Sequence, residues 1–236
     1  MKNIDPKNIK AFYDQADSPW PQNNKWHDIN QFEIKKAIQK LKLSSASIVL
    51  NAGSGGNDYG LNVQLHNIDI SANKNKALNN FIEGNIEHLP YDSDFFNCVI
   101  CVGSVLNYCD PCKVIQEFSR VLNQKGQLLL EFESSYSYEY LSYSVYKKNC
   151  DIFISNYLSR DHMMWLFSPN YIREILIANN FKINHLYPYH IISGLAMHFL
   201  KDENASSKYS ILDPIARKIP ILRKHSGNQI LFCTKL

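Results

Sequence analysis

The sequence predicts an α/β fold built on a doubly wound, mostly parallel sheet, and three observations lead there. Ile48-Val49-Leu50 is a short apolar run of the kind that a strand buried on both faces presents. It ends in Gly53-Ser54-Gly55-Gly56, where the backbone turns sharply with no Cβ in the way of a ligand. A second stretch, Val63 to Ile70, carries the carboxylate of Asp69 near its end, and helix and strand patterns alternate from there to Phe132. Strand, glycine turn and acid-tipped second strand form the seat of a ribose-bearing cofactor in such sheets.

Taken in order, residues 4–16 read as a short amphipathic helix opening at Pro6. Ser18-Pro19-Trp20-Pro21 breaks it. Ile29, Phe32, Ile34, Ala37, Ile38 and Leu41 then recur at helical spacing, which predicts a helix over 29–43. The glycine turn leaves only Asn57–Asn62 for a very short helix before the second strand. A helix is expected from Ser71 to Asn79, a strand over 80–83, a loop over 86–94 and a strand over 96–102. Val114, Ile115, Phe118, Val121 and Leu122 share one face of a helix from Pro111 to Leu122, which Asn123-Gln-Lys-Gly126 should stop. A strand over 127–132 follows. Residues 134–168 show no clear period. Ser168 caps a helix with Pro169 at its first position and Ala178 near its end, and a strand over 181–187 comes next. Residues 201–210 are polar and read as mobile, and 228–234 read as a last strand.

The 236 residues suit one sizeable domain, and 45% hydrophobic with 20% charged residues is ordinary for a soluble protein. A net charge of +3 is too small to argue for a nucleic-acid groove. No apolar run approaches the roughly 18 residues that span a bilayer. Met1-Lys-Asn-Ile-Asp-Pro6 lacks a signal-peptide core, so a cytoplasmic, reducing setting with the six cysteines as thiols is expected. Two C-x-x-C pairs, Cys98/Cys101 and Cys109/Cys112, raise a zinc site. The first pair lies in a predicted strand, where positions three apart face opposite ways. No metal is therefore expected.

A nicotinamide dinucleotide wants Gly-x-Gly-x-x-Gly, and counting from Gly53 the third glycine position holds Asp58, whose charge opposes the phosphates. Gly55 and Asp69 are 69 − 55 = 14 residues apart, where about 20 is usual. S-adenosylmethionine has no pyrophosphate and fits better. Asp69 can accept both ribose hydroxyls, while Gly84-Asn85-Ile86 offers an amide oxygen to the adenine amine and a backbone N–H to its ring.

The run Gly84-Asn-Ile-Glu-His-Leu-Pro-Tyr-Asp-Ser-Asp-Phe-Phe-Asn-Cys-Val-Ile100, followed by Glu117-Phe-Ser-Arg-Val-Leu-Asn-Gln-Lys-Gly126, resembles the class I S-adenosylmethionine-dependent methyltransferases, in particular their small-molecule methyltransferase domain. The resemblance covers residues 47–133. It implies a seven-stranded sheet with the final strand inserted antiparallel, in a single domain over 1–236. It further implies a helical lid from residues 1–43 and substrate-covering inserts at 134–168 and 190–227. The cofactor contacts it implies are Tyr13, Asn51, Gly53, Ser54, Gly55, Asp69, Ile70, Asn85, Ile86, Gly103 and Ser104. Asn51 stands where the family usually has an acid near the methionyl amine, and Asn85 where Asp is common.

Methyl transfer is an in-line displacement needing a positioned nucleophile and help with its proton. Candidates are Tyr108, where the family often has His, together with His27 and His162. Gly103-Ser-Val-Leu-Asn107 stands where enzymes acting on amide or base nitrogens carry Asp/Asn-Pro-Pro-aromatic. Tyr136, Tyr138, Tyr140, Tyr143, Tyr146, Trp165 and Phe167 point to an apolar or ring-bearing small molecule as substrate or, equally, to the core of a lid, and the basic run Arg217 to His225 to an anionic acceptor or partner or to a solvated face. The expected function is methyl transfer to an oxygen or nitrogen of a small molecule. The rivals are a non-catalytic cofactor-binding protein of the same fold and, third, an NAD-dependent oxidoreductase.

Overall fold

The computed structural model describes residues 4–73 and 75–236. Helices α1 (Pro6–Gln15) and α2 (Lys25–Ile38) precede strands β1 (Ile48–Ala52), β2 (Gln64–Asp69), β3 (Phe81–Glu83) and β4 (Phe96–Cys101). Helix α3 (Pro111–Val121), strand β5 (Leu122–Glu133), the pair β6 (Cys150–Tyr157) and β7 (Arg160–Phe167), helix α4 (Pro169–Ala178) and strand β8 (Phe181–Tyr189) follow. The chain continues through α5 (Ile192–Leu200), the short turns of helix α6 (Glu203–Ser207), α7 (Asp213–Ala216) and α8 (Pro220–Arg223), and β9 (Asn228–Lys235).

Seven strands form one sheet in the order β3-β2-β1-β4-β5-β9-β8, with β9 antiparallel to both neighbours. The expected sheet, with its antiparallel last strand, is the observed one. Its order reverses between β1 and β4, so the strand ends there open a crevice. Alternate residues divide the core between two faces. Leu50, Val99, Cys101, Leu128 and Leu130 pack with Phe118 of α3 and Leu176 of α4 on one. Val49, Cys98, Ile100 and Leu129 pack with Ile34 and Ile38 of α2 on the other. Cys98 and Cys101 thus belong to opposite faces.

Helix α3 shows how local chemistry sets an element. Pro111 fixes its first turn, and the Asp110 carboxylate accepts from Cys112 N at 2.9 Å. Asp110→Ala is expected to cost about 1 kcal/mol in chemical denaturation, the usual worth of such a cap.

Several expectations are corrected. Residues 71–73 and 75–79 form turns and bends, because Asn75 uses its side chain on Ser71 O (2.7 Å) and the glycine loop instead of supporting a helix, and Lys74 of the expected helix lies outside the described residues. Asn57–Asn62 also forms turns, with Tyr59 and Gly60 at positive φ. Helix α2 starts four residues earlier than Ile29, at Lys25, because Asn24 Oδ1 caps Trp26 N at 3.0 Å. It also ends at Ile38, short of Leu43. Strand β5 starts at Leu122, directly after α3, with Lys125 rather than Gly126 at positive φ. The aperiodic insert contains the β6–β7 hairpin, paired over its whole length. Residues 201–210 are helical in part: Asp202 caps α6, and Ser206 and Ser207 are buried.

Candidate cofactor and acceptor site

The crevice is a cavity of about 500 Å³ at the C-terminal ends of β1, β2, β4 and β5. Every predicted site residue except Asn51 lines it: Tyr13, His27, Gly53, Ser54, Gly55, Asp69, Ile70, Asn85, Ile86, Gly103, Ser104, Tyr108 and His162. Asn51 lies beneath the loop, 1% exposed. Its amide donates to Asn57 O (2.7 Å) and Asn67 Oδ1 (2.9 Å), pinning the turn to β2.

The glycine turn is held open from below. Gly53 has φ +76°, and a Cβ there would stand 2.5 Å from the Val105 side chain, so only glycine fits. The Asp69 carboxylate accepts from Gly55 N (2.9 Å) and Ser71 N (2.8 Å). Burial pushes its pKa up, while those two backbone N–H groups pull it down. Asn75, fully buried, accepts from Ser54 Oγ (2.6 Å) and Gly56 N (2.8 Å) and so stitches the turn to the segment after β2. Asn85 Oδ1 accepts from Glu87 N at 2.9 Å, which fixes the loop after β3 where it meets the cavity.

Beneath the turn after β4, Gly103 and Ser104 both have positive φ. Glu131 of β5 is wholly buried and accepts from Ser104 N (2.6 Å), Tyr189 Oη (2.9 Å) and Asn228 Nδ2 (2.6 Å). Two residues on, Glu133 faces the cavity and accepts from Ser104 Oγ (2.9 Å) and Tyr140 Oη (3.4 Å). Burial lifts the Glu133 carboxyl to about 7. Glu139, on the 3-10 turn at Tyr138–Tyr140, is lifted by burial to about 8, with Glu133 and Glu203 adding repulsion.

An aromatic chamber stands over this floor. Phe12 and Tyr13 of α1 meet Tyr157 and His162 of the hairpin, with Phe12 and His162 ring centroids 4.3 Å apart. Tyr157 Oη donates to Pro19 O at 2.8 Å. Tyr108 and His162 come together at 2.9 Å, whereas His27 stands apart on α2, 3.6 Å from Glu203. Burial drops His162 to about 4 and raises Tyr108 well above the usual phenol, so both are neutral near pH 7 and neither is matched to proton removal there. Glu133 is better matched. Sequence reasoning passed over Glu133, Glu139, Asn75 and Tyr157. An acid at the end of a predicted parallel strand was a signal for the first, since ligands sit outside the carboxyl ends of such strands.

The insert's aromatics divide. Tyr140 and Tyr143 line the cavity. Tyr138 instead stacks on His225 at 4.6 Å, with Tyr136 and Tyr146 beside the same ring, and Phe167 is core. From the basic run, Arg217 turns inward to Glu33 (2.5 Å) and Tyr187. None of Arg217–His225 lines the cavity.

These buried acids set a pH dependence. Glu133 and Glu139 ionise in the unfolded chain near 4.5 but in the folded protein near 7 and 8. Stability from their neutral forms is therefore complete below about pH 4.5 and lost as pH rises through about 7–8. Between about pH 5 and pH 8 the denaturation midpoint should fall for this reason, and a Glu133→Gln/Glu139→Gln double variant should flatten the fall.

The sheet order with its antiparallel β9 is the fold of the class I S-adenosylmethionine-dependent methyltransferases, a class whose cofactor is S-adenosylmethionine. Residues 44–130 match the family model described as a methyltransferase domain, which places that segment in the methyltransferase family. An uncharacterised protein of Methanocaldococcus jannaschii is 27% identical over 151 residues, 60% of this chain and 58% of that protein. The chain spans about half the length of the curated relatives from that organism which it matches. Among solved structures, the [4+2]-cyclase SpnF aligns with TM-score 0.63 and 15% identity, covering 100% of this chain and 97% of that one. Geranyl diphosphate C-methyltransferase from Streptomyces coelicolor A3(2) aligns with TM-score 0.63 and 10% identity, over 98% of both chains. These likenesses are of fold.

Proposed function

We propose that the protein transfers a methyl group from S-adenosylmethionine to an oxygen or nitrogen of a small-molecule acceptor. The observation that carries this reading is that the ribose seat at Asp69 and the aromatic chamber open into one cavity. The residues present fit the cofactor. The bare backbone at Gly53 and Gly55 admits close approach, Asp69 retains acceptor capacity for the diol, and the Asn85-Ile86 loop borders the adenine position.

When bound, the cofactor supplies a methyl group activated by its sulfonium. Asp69 orients the ribose, and the Gly103-Ser104 turn, fixed by Glu131, shapes the wall beside the reacting centre. Tyr13 and Phe12 of α1, with Tyr157 and His162, act as a lid that excludes water. Glu133 takes the acceptor's proton. The apolar chamber and the modest net charge favour a small, ring-bearing acceptor over nucleic acid.

Calorimetric titration with S-adenosylhomocysteine and with NAD, followed by a labelled-methyl assay across a metabolite panel, tests this. Binding of S-adenosylhomocysteine, none of NAD and label in an acceptor are expected. Binding of NAD alone would sink the reading, and cofactor binding with no transfer to any acceptor would leave a cofactor-binding protein of the same fold.

A further inference from the structure

The walls of the cavity carry an unbalanced charge. Asp69, Glu87, Glu133, Glu139 and Glu203 line it, and among the described residues no lysine or arginine does. The whole chain, by contrast, has 25 basic and 22 acidic residues. Two of these acids have other work. Asp69 belongs to the ribose seat. Glu87 accepts from Asp110 N at 2.8 Å and lies 3.5 Å from Lys113, facing α3.

The other three stand on the acceptor side. Among the described residues, the Glu133 carboxyl receives only hydroxyl donors, from Ser104 and Tyr140. The Glu139 carboxylate has no hydrogen-bond donor among the described residues. Glu203 accepts from the Asn24 amide and faces His27. Lys201 lies close enough to be felt at Glu139 but is outside the cavity wall, its ammonium 5.4 Å from the Tyr143 ring. Tyr140, Tyr143 and Phe153 form a cluster of rings beside the acids, with centroids 4.8 Å (Tyr140–Phe153) and 5.2 Å (Tyr143–Phe153) apart.

S-adenosylmethionine brings one ammonium, one sulfonium and one carboxylate, a net single positive charge. That single charge is too little to hold Glu133 and Glu139, whose carboxyls keep protons near neutral pH without a cation between them, ionised beside Glu203. Resting on the methyl-transfer reading, we propose that the acceptor is a cationic amine, recognised by Glu133 and Glu139 and walled by the rings of Tyr140, Tyr143 and Phe153. An ammonium gains from both features, because it pairs with carboxylates and is attracted to ring faces. A phosphate or carboxylate acceptor opposes ionisation of the same wall and faces Glu203, and a neutral alcohol gains nothing from ionising it.

The chemistry balances with nitrogen as nucleophile. The ammonium proton passes to the Glu133 carboxylate, which frees the nitrogen lone pair. That pair forms the N–C bond as the C–S bond of the cofactor breaks, and the positive charge moves from sulfur to nitrogen. Glu133 then returns its proton to solvent.

The test is binding to the full chain saturated with S-adenosylhomocysteine. Three probes of similar size, phenethylamine, 2-phenylethanol and 3-phenylpropanoate, are titrated calorimetrically. The amine is expected to bind at least about 10-fold tighter than the alcohol, and the carboxylate weakest. Glu139→Gln should erase most of the amine's advantage while leaving the alcohol's affinity in place, a split that general unfolding would not produce. Equal or tighter binding of the alcohol or the carboxylate overturns the proposal, as does an amine that fails to bind at millimolar concentration. Failure of S-adenosylhomocysteine itself to bind removes the methyl-transfer reading, and this one with it. Its binding without preference for the amine removes this one alone.

Discussion

Asp69→Ala is expected to weaken S-adenosylhomocysteine binding by at least about 100-fold, or about 2.7 kcal/mol. Each hydrogen bond from a ribose hydroxyl to a carboxylate is worth about 1.5–3 kcal/mol, and the substitution would remove the two proposed for Asp69. It also releases Gly55 N and Ser71 N, both held by this side chain, so the glycine turn loses its anchor as well. Ligand at about 100 times its dissociation constant should stabilise the unsubstituted protein by about 2.7 kcal/mol, and in the variant nearly all of that thermal shift should vanish. Asp69→Asn, which keeps one acceptor oxygen, should fall between. A full thermal shift in the alanine variant would remove Asp69 from the seat.

The second large effect concerns stability. Glu131→Ala strips the acceptor from three buried donors, Ser104 N, Tyr189 Oη and Asn228 Nδ2. Each buried donor left without a partner costs about 1–3 kcal/mol, and partial relaxation brings the expected loss to roughly 3–5 kcal/mol. Guanidinium unfolding should show this as a lower midpoint at constant slope. Glu131→Gln should cost less. One of its ends still accepts from Tyr189 and Asn228, but the other places an amide N–H against Ser104 N. A loss under about 1 kcal/mol for the alanine variant would mean that the network is not needed to hold the turn after β4.

That the candidate cofactor residues would gather in one place was legible in the sequence because each part is a local pattern. An apolar strand, bare backbone at Gly53 and Gly55 and an acid at the end of the next strand sit within two dozen residues, and the structure puts them around one cavity. The acceptor side was not legible, because it is assembled from distant segments. Glu133, Glu139, Tyr157 and Glu203 come from a strand end, a 3-10 turn, a hairpin and a short helix. The hairpin itself escaped because apolar Ile152, Phe153 and Ile154 run consecutively, which blurs a period of two. Asn51 misled in another way. Its position pointed to the cofactor, but its amide satisfies Asn57 O and Asn67 Oδ1 below the loop.

The placement of β9 between β5 and β8 has a consequence for how the chain assembles during synthesis. The outer edge of β5 over Gln127–Glu133 finds its partner only at Asn228–Thr234, and from Glu133 to Asn228 is 228 − 133 = 95 residues. A nascent chain that has emerged as far as α5 carries β1 to β5 with one long open edge, and β8 has nothing to join. Such an edge is a template for pairing with another chain, so this is the interval in which chaperones matter most. Asn228 and Tyr189 reach Glu131 through the same late event. The turn after β4 that lines the cavity is thus among the last parts to become rigid, although its residues leave the ribosome near the middle.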